Sequence, residues 1–398
     1  MKSSLDLKKL FGEAVLAALI ALVLFVHLLG MPMAEKDGAL VVAPEWRRLS
    51  LAVGAVFIGR ILIGLFGLFR LPQPKPPNLA SDQKLYNGIM LGLLMALCLL
   101  PFTPFSSRYV LDTLTLIFTY MVLACGLNIV VGMTGLLDLG FVAFYAIGAY
   151  TFSLLAVKGG FSFWQALPFA MMLAALIAFV IGLIVLRLRG DYLAIVTLGF
   201  AEILRIFLLN WVSLTNGANG ITGIPRPTFF TFGFDPASRV FYLYYLAIFF
   251  FTAVALLVMR LRRLPLGRAF EAVREDELAA SAMGIPLARA KLAAYMLSAC
   301  CGALAGAFFA TRQGFVSPES FTFTESGLVL AIVVLAGMGH PLGLMLAAAF
   351  LVGLPEVFRE LQDYRLIAFG AGMVLIMIWR PQGLFSRRPP AVTLKMET

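Results

Sequence analysis

The chain is 398 residues long, 61% hydrophobic and only 13% charged, and its mean hydropathy is +0.94. A soluble globular domain is closer to half apolar, so this composition excludes that class. Apolar stretches of membrane-spanning length recur from end to end without strand-like alternation, which excludes a β-barrel and indicates helices. The sequence therefore predicts an all-α, polytopic membrane protein with about 10–12 transmembrane helices.

Twelve apolar segments follow one another along the chain. The first begins after three lysines and runs for about 20 residues, which is longer than the core of a usual signal peptide. We therefore expect it to be retained as a transmembrane helix, with a cleaved signal as the alternative. The segments cover residues 10–30, 48–70, 86–105, 109–131, 138–157, 164–187, 191–210, 241–261, 291–311, 325–338, 341–358 and 364–380.

The basic residues lie mainly at the ends of these segments. If the N-terminus is cytoplasmic, nineteen Lys and Arg residues fall on the inner side and ten on the outer side. Inner loops of membrane proteins carry this excess of positive charge, so both termini are predicted to be cytoplasmic. The net charge of +10 is then explained by membrane topology and does not indicate nucleic-acid binding.

A proline-rich connector separates the two leading segments from the rest. Residues 72–77 read PQPKPP, a composition that favours a stiff, extended linker. We predict three parts: residues 1–77 with two transmembrane helices and the linker, a core at 78–385, and a cytoplasmic tail at 386–398.

Two stretches of the core resemble each other. ACGLNIVVGMTGLLDLGFV (124–142) and ACCGALAGAFFATRQGFV (299–316) both join a helix of small residues to Gly-Phe-Val. In the predicted topology their helices run in opposite directions, as in the inverted repeats of many transporters. The alternative is chance similarity between two helices rich in glycine and alanine.

Motifs for catalysis, metal binding and nucleotide binding are absent from the sequence. It contains two histidines and no HExxH, GxSxG or GxxxxGK[ST] pattern. We therefore predict no catalytic or metal-binding residues, and no nucleotide cofactor bound by this chain.

A few ionisable residues lie within or between the apolar segments. Glu202 and Arg205 are three positions apart in a predicted helix, so they share a face and can pair. The pair is either structural or part of a solute path. Asp138 follows a glycine in a broken segment, where it either caps the next helix or lines such a path.

A charged segment interrupts the apolar pattern at residues 267–284. We predict a single helix there, with Phe270, Val273 and Leu278 on its apolar face and with Gly284 ending it. This is either a solvated surface helix or a helix that docks in the groove of a partner protein. Its charged residues are Glu271, Arg274, Glu275, Asp276 and Glu277.

The stretch GRAFEAVREDELAASAMGI (267–285) resembles the cytoplasmic coupling segment of bacterial ABC importer permeases. RLRGDYLAIVTLGFAEILRIFLLN (187–210), NGITGIP (219–225), RQGFVSPESFTFTESGLVLAIVVLAGMG (312–339) and WRPQGLF (379–385) are similar to the M-type (LivM-like) permeases of branched-chain amino acid importers. The resemblance covers about residues 109–385.

This resemblance implies an inner-membrane assembly of two homologous permeases, two cytoplasmic ATPase subunits that hold ATP and Mg, and a periplasmic solute-binding protein. The coupling residues named above, with Gly284, would contact an ATPase. Asp138 stands where the family usually has a small or apolar residue. The path and its periplasmic mouth would include Asp138, Phe141, Gln313, Phe315, Ser317, Pro318 and Glu319.

Two other functions fit the composition. A stand-alone, ion-coupled secondary transporter would need a titrating intramembrane carboxylate, for which Glu202 and Asp138 are the candidates. A membrane-embedded transferase would need clustered histidines or aspartates, which the sequence lacks. The sequence favours the importer subunit, because a docking helix without a nucleotide site indicates energy supplied by a separate protein.

Overall fold

The structure, a computed structural model, describes residues 83–103, 107–188, 190–227, 236–337 and 341–357, with scattered positions between 15 and 59 and residue 370. The chain divides into two compact units, Met1–Asn78 and Leu79–Thr398. The described part of the first unit contains an antiparallel hairpin of β1 (Met33–Lys36) and β2 (Ala39–Val42).

The second unit is built from helices. Its longer elements are α1 (Gln83–Leu99), α2 (Arg108–Leu127), α3 (Val142–Val157), α4 (Phe163–Val185), α5 (Asp191–Asn210), α7 (Pro236–Arg263), α8 (Pro265–Glu275), α10 (Leu287–Gln313) and α11 (Phe323–Ala336). Its shorter elements are α6 (Val212–Thr215), β3 (Ile221–Thr222), α9 (Glu277–Ala282), β4 (Phe315–Val316), α12 (Pro341–Ala348) and α13 (Leu354–Val357). Two π-helical turns, Asn128–Thr134 and Ala349–Gly353, continue α2 and α12.

The all-α membrane fold is confirmed. In the described part of the chain, six helices are long and apolar enough to cross a membrane, and three shorter apolar helices accompany them. The nine predicted segments from 86–105 to 341–358 all fall on helices. The predicted segments 10–30, 48–70 and 364–380 lie almost wholly outside the described residues, as do WRPQGLF and the tail at 386–398.

Local sequence signals explain several helix ends. The Ser107 hydroxyl accepts a hydrogen bond from Val110 N and caps α2, and Ser162 and Gln165 form a capping box at the start of α4. Gly314 ends α10 in the left-handed conformation, with φ +70°, which glycine adopts without strain.

The α10 helix lies at the centre of the second unit and packs against α2, α3, α4 and α8. It is antiparallel to α2, as the predicted topology requires. Arg312 near the end of α10 binds Asp112 near the start of α2 across 2.8 Å, and Gly126 near the end of α2 faces Ser298 and Cys301 in the middle of α10. The inverted repeat itself stays a prediction.

Glycines allow α3 and α10 to approach until their backbones touch. A methyl group added to Gly148 would lie 2.3 Å from the Ala303 carbonyl oxygen, and one added to Gly306 would lie 2.1 Å from the Tyr145 carbonyl oxygen. Small residues at such contacts are the usual basis of helix association in membranes, because lipid is as apolar as the side chains.

Gly306→Ala is expected to destabilise the protein by about 1–3 kcal/mol, because the added methyl overlaps the backbone of α3. Thermal unfolding of the purified protein in detergent would show this as a lower midpoint temperature. Gly327→Ala in α11 is the matched control, since nothing lies within 4 Å of the methyl it adds. Equal midpoints for the two variants would contradict the close contact.

Candidate functional site

The charged segment at 267–284 forms two helices, so the prediction of one continuous helix is wrong. Asp276 adopts an extended conformation between α8 and α9, with φ −159°. Its Oδ1 accepts hydrogen bonds from Leu278 N at 2.7 Å and from Ala279 N at 3.0 Å. Asp276 is thus the N-cap of α9, a role that aspartate commonly fills. Gly284 ends the segment with φ +82°, as predicted.

The break changes which apolar residues are buried. Phe270 and Val273 are 0% and 2% exposed and hold α8 against the second unit, as predicted. Leu278 was assigned to the same face, but it is 73% exposed because the turn at Asp276 redirects α9. The sequence signal for this turn was an aspartate followed directly by Glu277 and three small or apolar residues, which is typical of a helix start.

Three of the predicted coupling charges bind partners within this chain. Arg274 Nη1 donates to the Gly132 carbonyl oxygen at 2.8 Å. Glu277 binds Lys291, whose side chain is only 6% exposed, across 2.5 Å. Glu271 binds Arg262 across 3.2 Å. These charges therefore fix α8 and α9 to their own chain, and contact between them and an ATPase stays a prediction.

The surface that α8 and α9 turn outward is mainly apolar. Leu278 and Met283 are 73% and 84% exposed, and Glu275, the last residue of α8, is also exposed. Large apolar side chains this open, at a charged margin, are typical of protein interaction sites. We call Glu275, Leu278 and Met283 the exposed α8–α9 surface. The sequence pattern did not identify it, because Leu278 and Met283 were placed within an uninterrupted helix.

Arg274 also contacts the turn between α2 and α3. The π-helical residues Asn128–Thr134 pack against α8, and the chain then turns at Gly135, whose φ is +72°. A methyl group added to Gly135 would lie 3.0 Å from Arg274 Cγ. The side chain of Arg274 therefore covers the turn with its carbons and binds its backbone with its guanidinium group.

Asp138 closes that turn. Its carboxylate is 1% exposed and accepts a hydrogen bond from Gly140 N at 2.8 Å through Oδ1. The next residue, Leu139, donates its N–H to Thr197 Oγ1 of α5 at 3.1 Å. Asp138 does not cap α3, whose N-cap is Phe141 without a side-chain hydrogen bond, so the capping hypothesis is wrong. Asp138 and Phe141 are enclosed by their own chain, and their place in a solute path stays a prediction.

The predicted periplasmic-mouth residues lie together at the other end of α10. Gln313 is its last residue, and β4 then pairs with β3 of the 211–240 loop, with Ile221 opposite Val316 and Thr222 opposite Phe315. This pairing joins the described part of that loop to the residues that follow α10. Gln313, Phe315 and Glu319 are exposed, Ser317 is partly buried, and Pro318 is buried.

The predicted pair on α5 is present. Arg205 Nε donates to Glu202 Oε1 at 3.0 Å, and Nη2 of the same guanidinium group binds the same oxygen. The two side chains are 25% and 43% exposed, respectively. The residues of the turn Pro318–Ser320 pack against α5, so the pair borders the end of the molecule that carries the predicted mouth.

No metal site emerges in the part of the chain that the structure covers. There, no group of three or more His, Cys, Asp or Glu side chains lies close enough together to hold an ion. The four cysteines are free thiols, and Cys125 and Cys301 are buried.

Comparison with known proteins gives the family. Residues 109–377 match the family model described as "Branched-chain amino acid transport system / permease component", and residues 9–103 match a domain of unknown function. The chain is 44% identical to the high-affinity branched-chain amino acid transport system permease protein LivM of Escherichia coli K12, over 95% of this chain and 96% of that protein.

More distant relatives include a protein named LivM and proteins named LivH. The identity is 26% to the probable LivM of Methanocaldococcus jannaschii, over 55% of this chain and 68% of that protein. It is also 26% to LivH of E. coli K12, over 68% of this chain and 92% of that protein. No solved structure matches the chain.

Glu277→Gln is expected to lower the free energy of unfolding by about 2–3 kcal/mol, because it leaves the Lys291 ammonium enclosed without its counter-charge. Chemical denaturation in detergent measures the loss. Glu275→Gln removes the same charge from an exposed position and should change stability by less than about 0.5 kcal/mol. The contact would be refuted if both variants lost stability equally.

Proposed function

Since the chain belongs to the branched-chain amino acid transport permease family, we propose that it is a transmembrane subunit of an ATP-driven importer for leucine, isoleucine and valine. The observation that carries this proposal is the 44% identity to LivM of E. coli along nearly the whole length of both chains. The chain itself is a transport subunit, and ATP hydrolysis takes place on partner subunits.

The proposed assembly contains a second, homologous permease. The chain is similar to proteins named LivM and to proteins named LivH, which both occur in E. coli K12. Two cytoplasmic ATPase subunits hold ATP and Mg, and a periplasmic solute-binding protein delivers the amino acid. In the predicted topology, Lys and Arg are in excess on the side that carries both termini. This excess supports insertion in the inner membrane with both termini in the cytoplasm.

The exposed α8–α9 surface is the proposed contact with an ATPase. Leu278 and Met283 supply exposed apolar anchors on a short helix, which suits a partner with a hydrophobic groove. Glu275 lies at the margin of this surface, where a charge contributes more to the orientation of the bound partner than to its affinity. Glu271, Arg274 and Glu277 serve the contact indirectly, because they hold α8 and α9 in place on this chain.

Movement of α8 is proposed to reach the helices of the path through Arg274. The guanidinium group binds the end of the π-helical turn, that turn leads into the Asp138 loop, and the loop is bonded to Thr197 of α5. ATP-driven closure of the ATPases would therefore shift α2, α3 and α5 together. Contacts of this kind between packed elements convert a small displacement at a protein interface into a shift of whole helices.

Leu278→Glu is expected to reduce recovery of the ATPase subunits with this chain at least tenfold, because it places a charge in an apolar groove. Tagged protein would be purified in mild detergent and its partners quantified by mass spectrometry. Leu278→Met is the control, since methionine preserves the apolar contact. Undiminished recovery with Leu278→Glu would show that the ATPase binds elsewhere.

Arg274→Ala is expected to leave ATP hydrolysis largely intact but to lower leucine uptake about tenfold, since motion of α8 no longer reaches the α2–α3 turn. Both rates would be measured on the same proteoliposomes, and the ratio of leucine moved to ATP hydrolysed is the decisive quantity. Arg268→Ala, at an exposed position of α8, is the matched control. A ratio equal to that of the unmodified complex would disprove the role of Arg274.

A further inference from the structure

The Glu202–Arg205 pair lies well inside a membrane-spanning helix. With a rise of 1.5 Å per residue, Glu202 is about 17 Å from the first residue of α5 and about 12 Å from the last. Yet its side chain is 43% exposed in the isolated chain. A charged group that faces hydrocarbon is costly, so exposed charges at this depth face water or protein. This side of α5 is therefore unsuited to lipid.

The surroundings of the pair place it beside the outer mouth. The Pro318–Ser320 turn packs against α5, and Glu319 is near enough to act electrostatically on the Arg205 guanidinium group. The pair is thus positioned between the exposed mouth residues and the middle of the membrane. A solute that moves inward from the mouth would pass along this part of α5.

The hydrogen bonds of the pair leave binding capacity unused. Both bonds from Arg205 go to the same oxygen, Glu202 Oε1. Within the described residues, Glu202 Oε2 and Arg205 Nη1 take part in no hydrogen bond. Glu202 Oε2 can therefore accept a hydrogen bond from an ammonium group. Beside it, Arg205 Nη1 can donate to a carboxylate.

An open apolar surface adjoins this polar pair on the same helix. Ile203, Ile206 and Phe207 are 68%, 48% and 50% exposed, and nothing lies within 4 Å of a methyl group added to Gly199. A ligand whose charged groups meet the pair could place an aliphatic side chain on this surface, where it would lose contact with water.

We propose that Glu202, Arg205 and the apolar surface of α5 form a transient subsite for an L-α-amino acid with an aliphatic side chain. The α-ammonium group binds Glu202 Oε2, the α-carboxylate binds the Arg205 guanidinium group, and the side chain lies on Ile203 and Ile206. The proposal rests on the importer function and adds a recognition site within the permease. Because pair and ligand are each neutral overall, no unbalanced charge remains when the ligand leaves, which suits rapid passage.

Cysteine labelling tests whether this face of α5 meets an aqueous path. Ile203→Cys in the assembled complex in lipid vesicles is expected to react with a positively charged, membrane-impermeant thiol reagent. Leucine-loaded binding protein with ATP should alter the labelling rate at least threefold. The unmodified complex gives the background of the native cysteines, and Glu319→Cys at the mouth is the positive control. Failure of Ile203→Cys to react while Glu319→Cys reacts would mean that lipid or the second permease covers this face, and would overturn the proposal.

Transport by neutral variants distinguishes recognition from a structural role. Glu202→Gln and Arg205→Gln are each expected to reduce leucine uptake about tenfold, the effect of losing a hydrogen bond to a charged group. ATP hydrolysis should be unchanged. If the pair were merely structural, leucine uptake would recover in the double variant, because neither Glu202 nor Arg205 would remain as an unpaired charge. For the proposed subsite, the double variant is at least as impaired as either single variant.

The controls separate this proposal from the importer function itself. Asp191→Asn removes a carboxylate charge from the exposed first turn of α5 and should leave leucine uptake unchanged. If the unmodified complex moves no leucine with ATP, the importer function fails and the subsite fails with it. If the unmodified complex transports leucine and the double variant matches its rate, only the subsite is refuted.

Discussion

The close contact between α3 and α10 is the constraint on which the second unit depends. At Gly148 and Gly306 a side-chain carbon would overlap the opposing backbone, so the two helices can pack at this distance only with glycine there. Their contact gives α10 its central position, and α2, α4 and α8 then pack around it. In a membrane, where apolar side chains gain little by leaving lipid, this fit between backbones supplies much of the specificity.

Several charged residues of the described part of the chain tie separate elements together. Arg312 and Asp112 join the C-terminal end of α10 to α2, while Lys291 and Glu277 join its N-terminal end to α9. Arg274 joins α8 to the α2–α3 turn. These charges thus lie where separate elements meet, whereas Leu278 and Met283 are exposed.

Hydropathy was sufficient to predict the nine apolar segments that the structure describes as helices, because membrane-spanning length and apolar composition are local properties of the sequence. The Glu202–Arg205 pair was predictable for the same reason, since a spacing of three residues fixes the geometry on a helix. The break at Asp276 was missed because aspartate serves equally as a surface charge and as a cap. The partners of Arg274 and Glu277 could not be predicted, because Gly132 and Lys291 approach them only through the tertiary fold.

The α10 helix has a mechanical consequence. It is unbroken over 27 residues, or about 40 Å at 1.5 Å per residue, and it starts just after α9 and ends at the pairing of β3 with β4. If a rod of this kind tilts about its middle, a displacement at the end beside α9 appears with opposite sign at the end beside β4. Tilting of α10 would then move the two ends of the molecule in opposite directions, in parallel with the contact between Arg274 and the α2–α3 turn.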